Sequence, residues 1–182
     1  MRALRYILFA LSALVLAGCA SSTRSTVDTD PLARDARWVL LPVVNNTDTP
    51  QAGLAAESLL EHHLLARGVP QLLRYPAALS RDSLFEPTER KASEEAQKWA
   101  REQGARYALT GSVEEWRYKV GLDGEPVVGL TLKVIDLQSG RTVWSASGSQ
   151  SGWSRQSLAA VAQTVIRDLL ASLRLDAAKP PV

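Results

Sequence analysis

A single cysteine, Cys19, stands in a chain of 182 residues. No disulfide can form within one chain, so the fold must rest on a hydrophobic core. A chain of this size buries roughly two-thirds of its unfolded surface, and a hydrophobic content of 46% supplies the means. The cysteine closes an apolar run. Met1 to Arg5 is short and basic, Tyr6 to Leu16 is apolar, and Ala17-Gly18 is small. That order is the n-region, h-region and cleavage site of a secretory signal over residues 1–18. The apolar core of about 11 residues is too short for a span that needs about 20.

Leu16-Ala17-Gly18-Cys19 resembles the bacterial lipobox, in which the cysteine is acylated and becomes the mature N-terminus. The other reading is an ordinary buried or free thiol, but a lone thiol at the end of a signal has no folded core around it. Removing 18 of the 182 residues leaves 164, one domain's worth. Arg2 and Arg5 leave with the signal, which takes 21 basic residues to 19 against 19 acidic ones. A neutral mature chain gives no sign of nucleic acid. Each buried methylene contributes about 0.8 kcal/mol, so two or more acyl chains hold stably. The lipobox resemblance implies three, palmitate among them. Ala20 and Ser21 follow the cysteine with no aspartate to retain the protein at the inner membrane. The expectation is an outer-membrane lipoprotein facing the periplasm, with covalent lipid on Cys19 and no cofactor.

Residues 19–36 read as the lipidated cysteine and a polar, flexible tether. About 17 residues reach at most roughly 60 Å. Trp38 to Val44 is a near-continuous apolar run, a strand buried on both faces, with Pro42 predicting a bulge. Thr49-Pro50 predicts a helix start, and the helix runs to Arg67 before Gly68. Val69 to Tyr75 predicts a short strand, and Thr88 to Gln103 a second helix with a narrow apolar face of Ala92, Ala96, Trp99 and Ala100. From Ala105 the period becomes two and slips phase across Glu114-Glu115, predicting a bulge. Val128 to Val134 and Arg141 to Ser147 complete an antiparallel meander. Ser147 to Ser154 reads as a Ser/Gly loop. Leu158, Val161, Ala162, Val165, Ile166 and Leu169 then give the clearest amphipathic helix. The fold class is α/β: one domain over residues 37–175, a mixed sheet of about five strands in the order β-α-β-α-β-β-β-α, and a disordered tail over 176–182.

No nucleophile motif, Walker loop or dinucleotide fingerprint is present, so the expectation is no enzyme and no catalytic residue. His62 and His63 lie about 100° apart on a helix and cannot grip one metal together, so no metal is expected. Two features stand out. Trp153, in Ser151-Gly152-Trp153-Ser154-Arg155, suits a boundary between apolar and wet surroundings such as a membrane interface. The alternative is a lid folded over the sheet end. Glu114, Glu115, Asp123 and Glu125 cluster around one hairpin, either as an acidic binding surface or as a solvated loop with Arg117 and Lys119 among them.

Two segments carry a family resemblance: Gly104-Ala105-Arg106-Tyr107-Ala108-Leu109-Thr110-Gly111-Ser112-Val113, and Leu132 to Trp144 with its Asp136-Leu137-Gln138-Ser139-Gly140 turn. The pattern resembles the α/β domain of LpoB-type peptidoglycan-synthase activators, curli-secretion lipoproteins and PelC-type Pel exopolysaccharide export lipoproteins, over roughly Arg37 to Leu175. A synthase activator must reach through the cell wall, for which 17 residues are too few. A curli-type channel must spare hairpins for a barrel, and every strand here is already used by the sheet. The PelC type remains, with the LpoB type as the alternative. PelC resemblance implies a ring-forming homo-oligomer under the outer membrane beside a separate barrel exporter. It also implies an acidic surface for a cationic polysaccharide and a tryptophan belt toward the bilayer, onto which Trp153 maps. Its biological setting would be polysaccharide export in biofilm formation.

Overall fold

The computed structural model describes residues 25–27, 30–76, 89–120 and 124–176. Among them are six strands, β1 (Ser25–Val27), β2 (Trp38–Asn45), β3 (Leu72–Arg74), β4 (Tyr107–Tyr118), β5 (Pro126–Asp136) and β6 (Arg141–Ser151). Three helices accompany them: α1 (Ala52–Ala66), α2 (Glu89–Glu102) and α3 (Leu158–Leu170). The sheet order is β1-β6-β5-β4-β2-β3. β2 runs parallel to both β3 and β4, and the remaining pairs are antiparallel, so the sheet is mixed.

Alternation along β2 sorts the core into two layers. Trp38 and Leu40 face α1 and α3, joining Leu60, Leu64, Leu109, Leu132, Trp144 and Ile166. Val39 and Leu41 face the other way, toward Ala96 and Ala100 of α2. The first layer is the larger because α1 and α3 both carry wide apolar stripes, whereas α2 offers alanines. The bulge at Pro42 is real: the β2–β4 register shifts between Leu40 and Val43. Glu57 of α1 accepts from Val43 N at 3.0 Å and pairs with Arg74 at 2.9 Å, giving that backbone donor a buried partner. The phase slip across Glu114 is also real, as a register shift between Val113 and Glu115.

The β-α-β-α-β-β-β-α order holds from Trp38 onward, but four readings need correction. The stretch read as flexible tether supplies a sixth strand: β1 pairs with β6 from Ser25↔Ser147 to Val27↔Ser145. An edge strand is held by its backbone ladder, so polar composition does not betray it. The folded unit also passes both ends of residues 37–175. Leu32 is buried and bridges Leu175, and Asp176 Oδ1 accepts from Arg34 N. The Ser/Gly stretch after Ser147 continues β6 as far as Ser151, because β5 already begins at Pro126 and Val127 pairs with Ser151. Thr49 does not cap α1. Its hydroxyl donates to Trp116 O, and the helix starts at Ala52 behind Gln51, whose φ of 61° is left-handed.

Candidate functional site

Three chain segments meet at one end of the sheet: the end of β4 at Tyr118, the start of β5 at Pro126, and the end of β6 leading into α3. Lys119 N donates to Glu125 O at 2.7 Å, and Gly152 N to Pro126 O at 2.8 Å. Gly152 is buried, and a Cβ there would press on Val161 Cγ2, Gln156 Oε1 and Pro126. The chain therefore lies flat at Gly152, and Trp153 follows at the surface. Gln156 braces the loop from both sides, accepting from Trp153 N and donating its own N–H to Trp153 O, each at 2.9 Å. Ser157 Oγ then caps α3 by accepting from Ala160 N, and Tyr118 Oη accepts from Leu158 N at 3.1 Å. The loop backbone is fixed.

The Trp153 side chain is 78% exposed. The sequence has five tryptophans. Trp38, Trp116 and Trp144 are buried and Trp99 is half-buried, which sets Trp153 apart. A lid over the sheet end is excluded by this exposure. Val120 is fully exposed and Tyr118 half-exposed, so the same end carries two further apolar side chains missed in the sequence. Their signal was parity: beyond the bulge at Glu114, Trp116 turns to the core and the residues after it run out of sheet to cover. Arg155, Arg117 and Lys119 are exposed nearby in the chain.

The acidic group is dispersed into local pairs. Glu114 accepts from Ser112 Oγ and from Asn46 Nδ2, the latter at 3.1 Å. Glu115 pairs with Arg117 at 3.3 Å, and Glu125 with Lys119 at 3.2 Å. Asp123 and Cys19 lie outside the described residues.

At the opposite end of the strands, Asp136 is the carboxylate with the strongest setting. Burial alone would raise its pKa, but hydrogen bonds from Arg106 and from Gln138 N and Ser139 N hold it below the usual carboxylate range. It organises the β5–β6 turn. His63 sits partly buried on α1, and desolvation, then His62 and Arg167, lower its pKa below the ordinary histidine value. Among the described residues, no three His, Cys, Asp or Glu side chains gather as a metal site. Nor is any described helix long and apolar enough to cross a membrane. What the Trp153 end offers is a rigidly held, partly apolar surface for contact.

The dodecameric PelC of Paraburkholderia phytofirmans is 39% identical, with a TM-score of 0.73 over 86% of this chain and 100% of that one. The chain belongs to the PelC family. A variant of the same PelC, also a dodecamer, gives 40% identity and a TM-score of 0.74 with the same coverage. Lipoprotein GNA1162 of Neisseria meningitidis shares the fold, at 16% identity and a TM-score of 0.53 over 75% of this chain and 96% of its own. Residues 77–149 match the family described as peptidoglycan-synthase activator LpoB. No curated protein matches the chain. Membership of the PelC family thus rests on the whole domain, whereas the LpoB match covers less than half the chain.

Proposed function

We propose that the protein is a lipid-anchored, non-enzymatic ring subunit of a Pel-type exopolysaccharide export apparatus. It sits on the periplasmic face of the outer membrane and guides polymer to an outer-membrane barrel. The observation that carries this is the 39% identity to a dodecameric PelC, spanning all of that chain. The anchor and the exposed tryptophan fit one another. β1 runs antiparallel to β6, so its first residue, Ser25, lies toward the Ser151 end of β6, the end that bears Trp153. Only six residue steps separate Cys19 from Ser25, at most about 20 Å of chain. Acylation at Cys19 therefore holds the Trp153 end close to the bilayer, where an indole is favoured.

Glu114, Glu115, Asp123 and Glu125 remain the candidates for contact with a cationic polymer. Such a polymer reaching Glu115 or Glu125 would displace Arg117 or Lys119 from surface pairs worth about 0–1 kcal/mol, a small barrier to exchange. A second reading, an activator of a peptidoglycan synthase, is favoured by the LpoB match over 77–149. The short reach from Cys19 weighs against a partner across the cell wall. Deletion of the gene and complementation tests the reading. The deletion abolishes surface polysaccharide, the wild type restores it, and Cys19→Ser, left off the membrane, does not. A deletion that leaves polysaccharide intact and weakens peptidoglycan cross-linking instead would favour the synthase activator.

A further inference from the structure

Copies standing side by side on a membrane through their strand ends must touch through their flanks. A closed ring is a heterologous assembly, in which one surface of each subunit meets a different surface of the next. The two flanks of this domain are the β3 edge and the β1–β6 edge of the sheet. They are not alike.

On α1, Leu54 and Leu65 are eleven residues apart, three turns of helix, so they lie on one side of it. Both are exposed, at 42% and 51%. Between them on the same side are Ser58 and Glu61. Arg74 of β3 reaches both, with Nη1 at 3.5 Å from Ser58 Oγ and 3.5 Å from Glu61 Oε2. That contact fixes the direction: the Leu54–Leu65 side of α1 overhangs the β3 edge, away from α3. Leu73 of β3 is exposed on the other face of the same edge, since it pairs with Val39 and shares the parity of the α2 layer. Three leucines thus frame one edge strand only three residues long, with the Arg74–Glu57 pair set between them. The opposite edge carries no such leucine cluster among the described residues. There, β1 covers only Ser145 to Ser147 of β6.

We infer that the α1–β3 flank, centred on Leu54, Leu65 and Leu73, is one half of the subunit joint, and that it docks on the β1–β6 edge of the neighbouring copy. The inference rests on the ring assembly proposed above. It assigns the exposed side chains to two separate duties. Val120 and Trp153, at the strand ends, face the membrane, and the leucines of the flank face the next subunit. A short edge strand suits this arrangement. It limits open-ended strand addition.

The test is native mass spectrometry of the full chain as purified in detergent, with four proteins side by side. Wild type gives one discrete high-mass oligomer. Leu54→Glu/Leu65→Glu loses it and runs as single subunits, with a circular dichroism spectrum and thermal midpoint like those of a folded monomer. The milder Leu54→Ser/Leu65→Ser shifts the same equilibrium part-way and guards against a folding defect in the charged pair. Val120→Asp, which charges an exposed apolar position at the strand ends, keeps the oligomer. If both leucine pairs assemble like wild type, or if Val120→Asp dissociates as they do, the flank is not the joint. A wild type that is itself a single subunit overturns the ring reading, independently of the leucine variants.

Discussion

In the proposed role, Trp153 would carry function without carrying stability. Its backbone is braced by Gln156 and its neighbour Gly152 is packed against Val161, yet the indole itself is in solvent. Trp153→Ala should therefore change folding stability by no more than about 0.5 kcal/mol, while lowering polymer export. A buried tryptophan such as Trp144 would cost about 3–5 kcal/mol on the same substitution. A melting curve and an export assay on both variants separate the two cases, and an unstable Trp153→Ala protein contradicts the surface role. Glu57 is the converse. Its carboxylate serves Val43 N and Arg74 inside the molecule. With Arg74 partly exposed, Glu57→Ala should cost about 2–3 kcal/mol, and Glu57→Gln, which keeps an acceptor for Val43, should cost less. Equal losses by denaturant unfolding would deny Glu57 its part in the bulge. His63 gives a pH dependence. Burial lowers its folded pKa, so the unfolded chain binds the proton more readily and stability falls as pH drops below about 6.5. His63→Gln should flatten the stability profile between neutral and mildly acidic pH, and an unchanged slope would place the titration elsewhere.

At the scale of elements, the long patterned segments were legible. The apolar run from Trp38, the meander from Tyr107 to Ser147 and the i, i+3, i+4 stripe from Leu158 all fold as their periods require. The two bulges were legible as well, because Pro42 removes a ladder donor and the double glutamate breaks the alternation. Elements without a side-chain period were not legible. β1 exists through its pairing with Ser145 to Ser147, and the last residues of β6 through pairing with Val127 to Gly129. Serine and glycine carry no period-two signal there. The start of α1 is not legible for a related reason: Thr49-Pro50 has the pattern of a helix start, but the Thr49 hydroxyl is spent on Trp116 O across the sheet. The candidate site was half legible. Trp153 stood out as a large aromatic in a small polar loop, but its partners Tyr118 and Val120 depend on where a bulged strand runs out.

For the whole molecule, the layout is directional. The strand ends around Trp153 and Val120 form one pole, toward which the N-terminal end of β1 is directed, and Asp136 with Arg106 marks the other. The sheet edges point sideways. A domain so arranged can stand on a membrane by one pole and meet copies of itself by its flanks, which joins anchoring and assembly in a single orientation. The most direct measurement is electron cryo-microscopy of the acylated protein reconstituted on lipid vesicles, viewed from the side. The expected image is of closed rings lying flat on the bilayer, with twelve subunits as in the PelC relative and the Trp153 pole in contact with the headgroups. Scattered single subunits, or rings that meet the bilayer by the Asp136 pole, would contradict it.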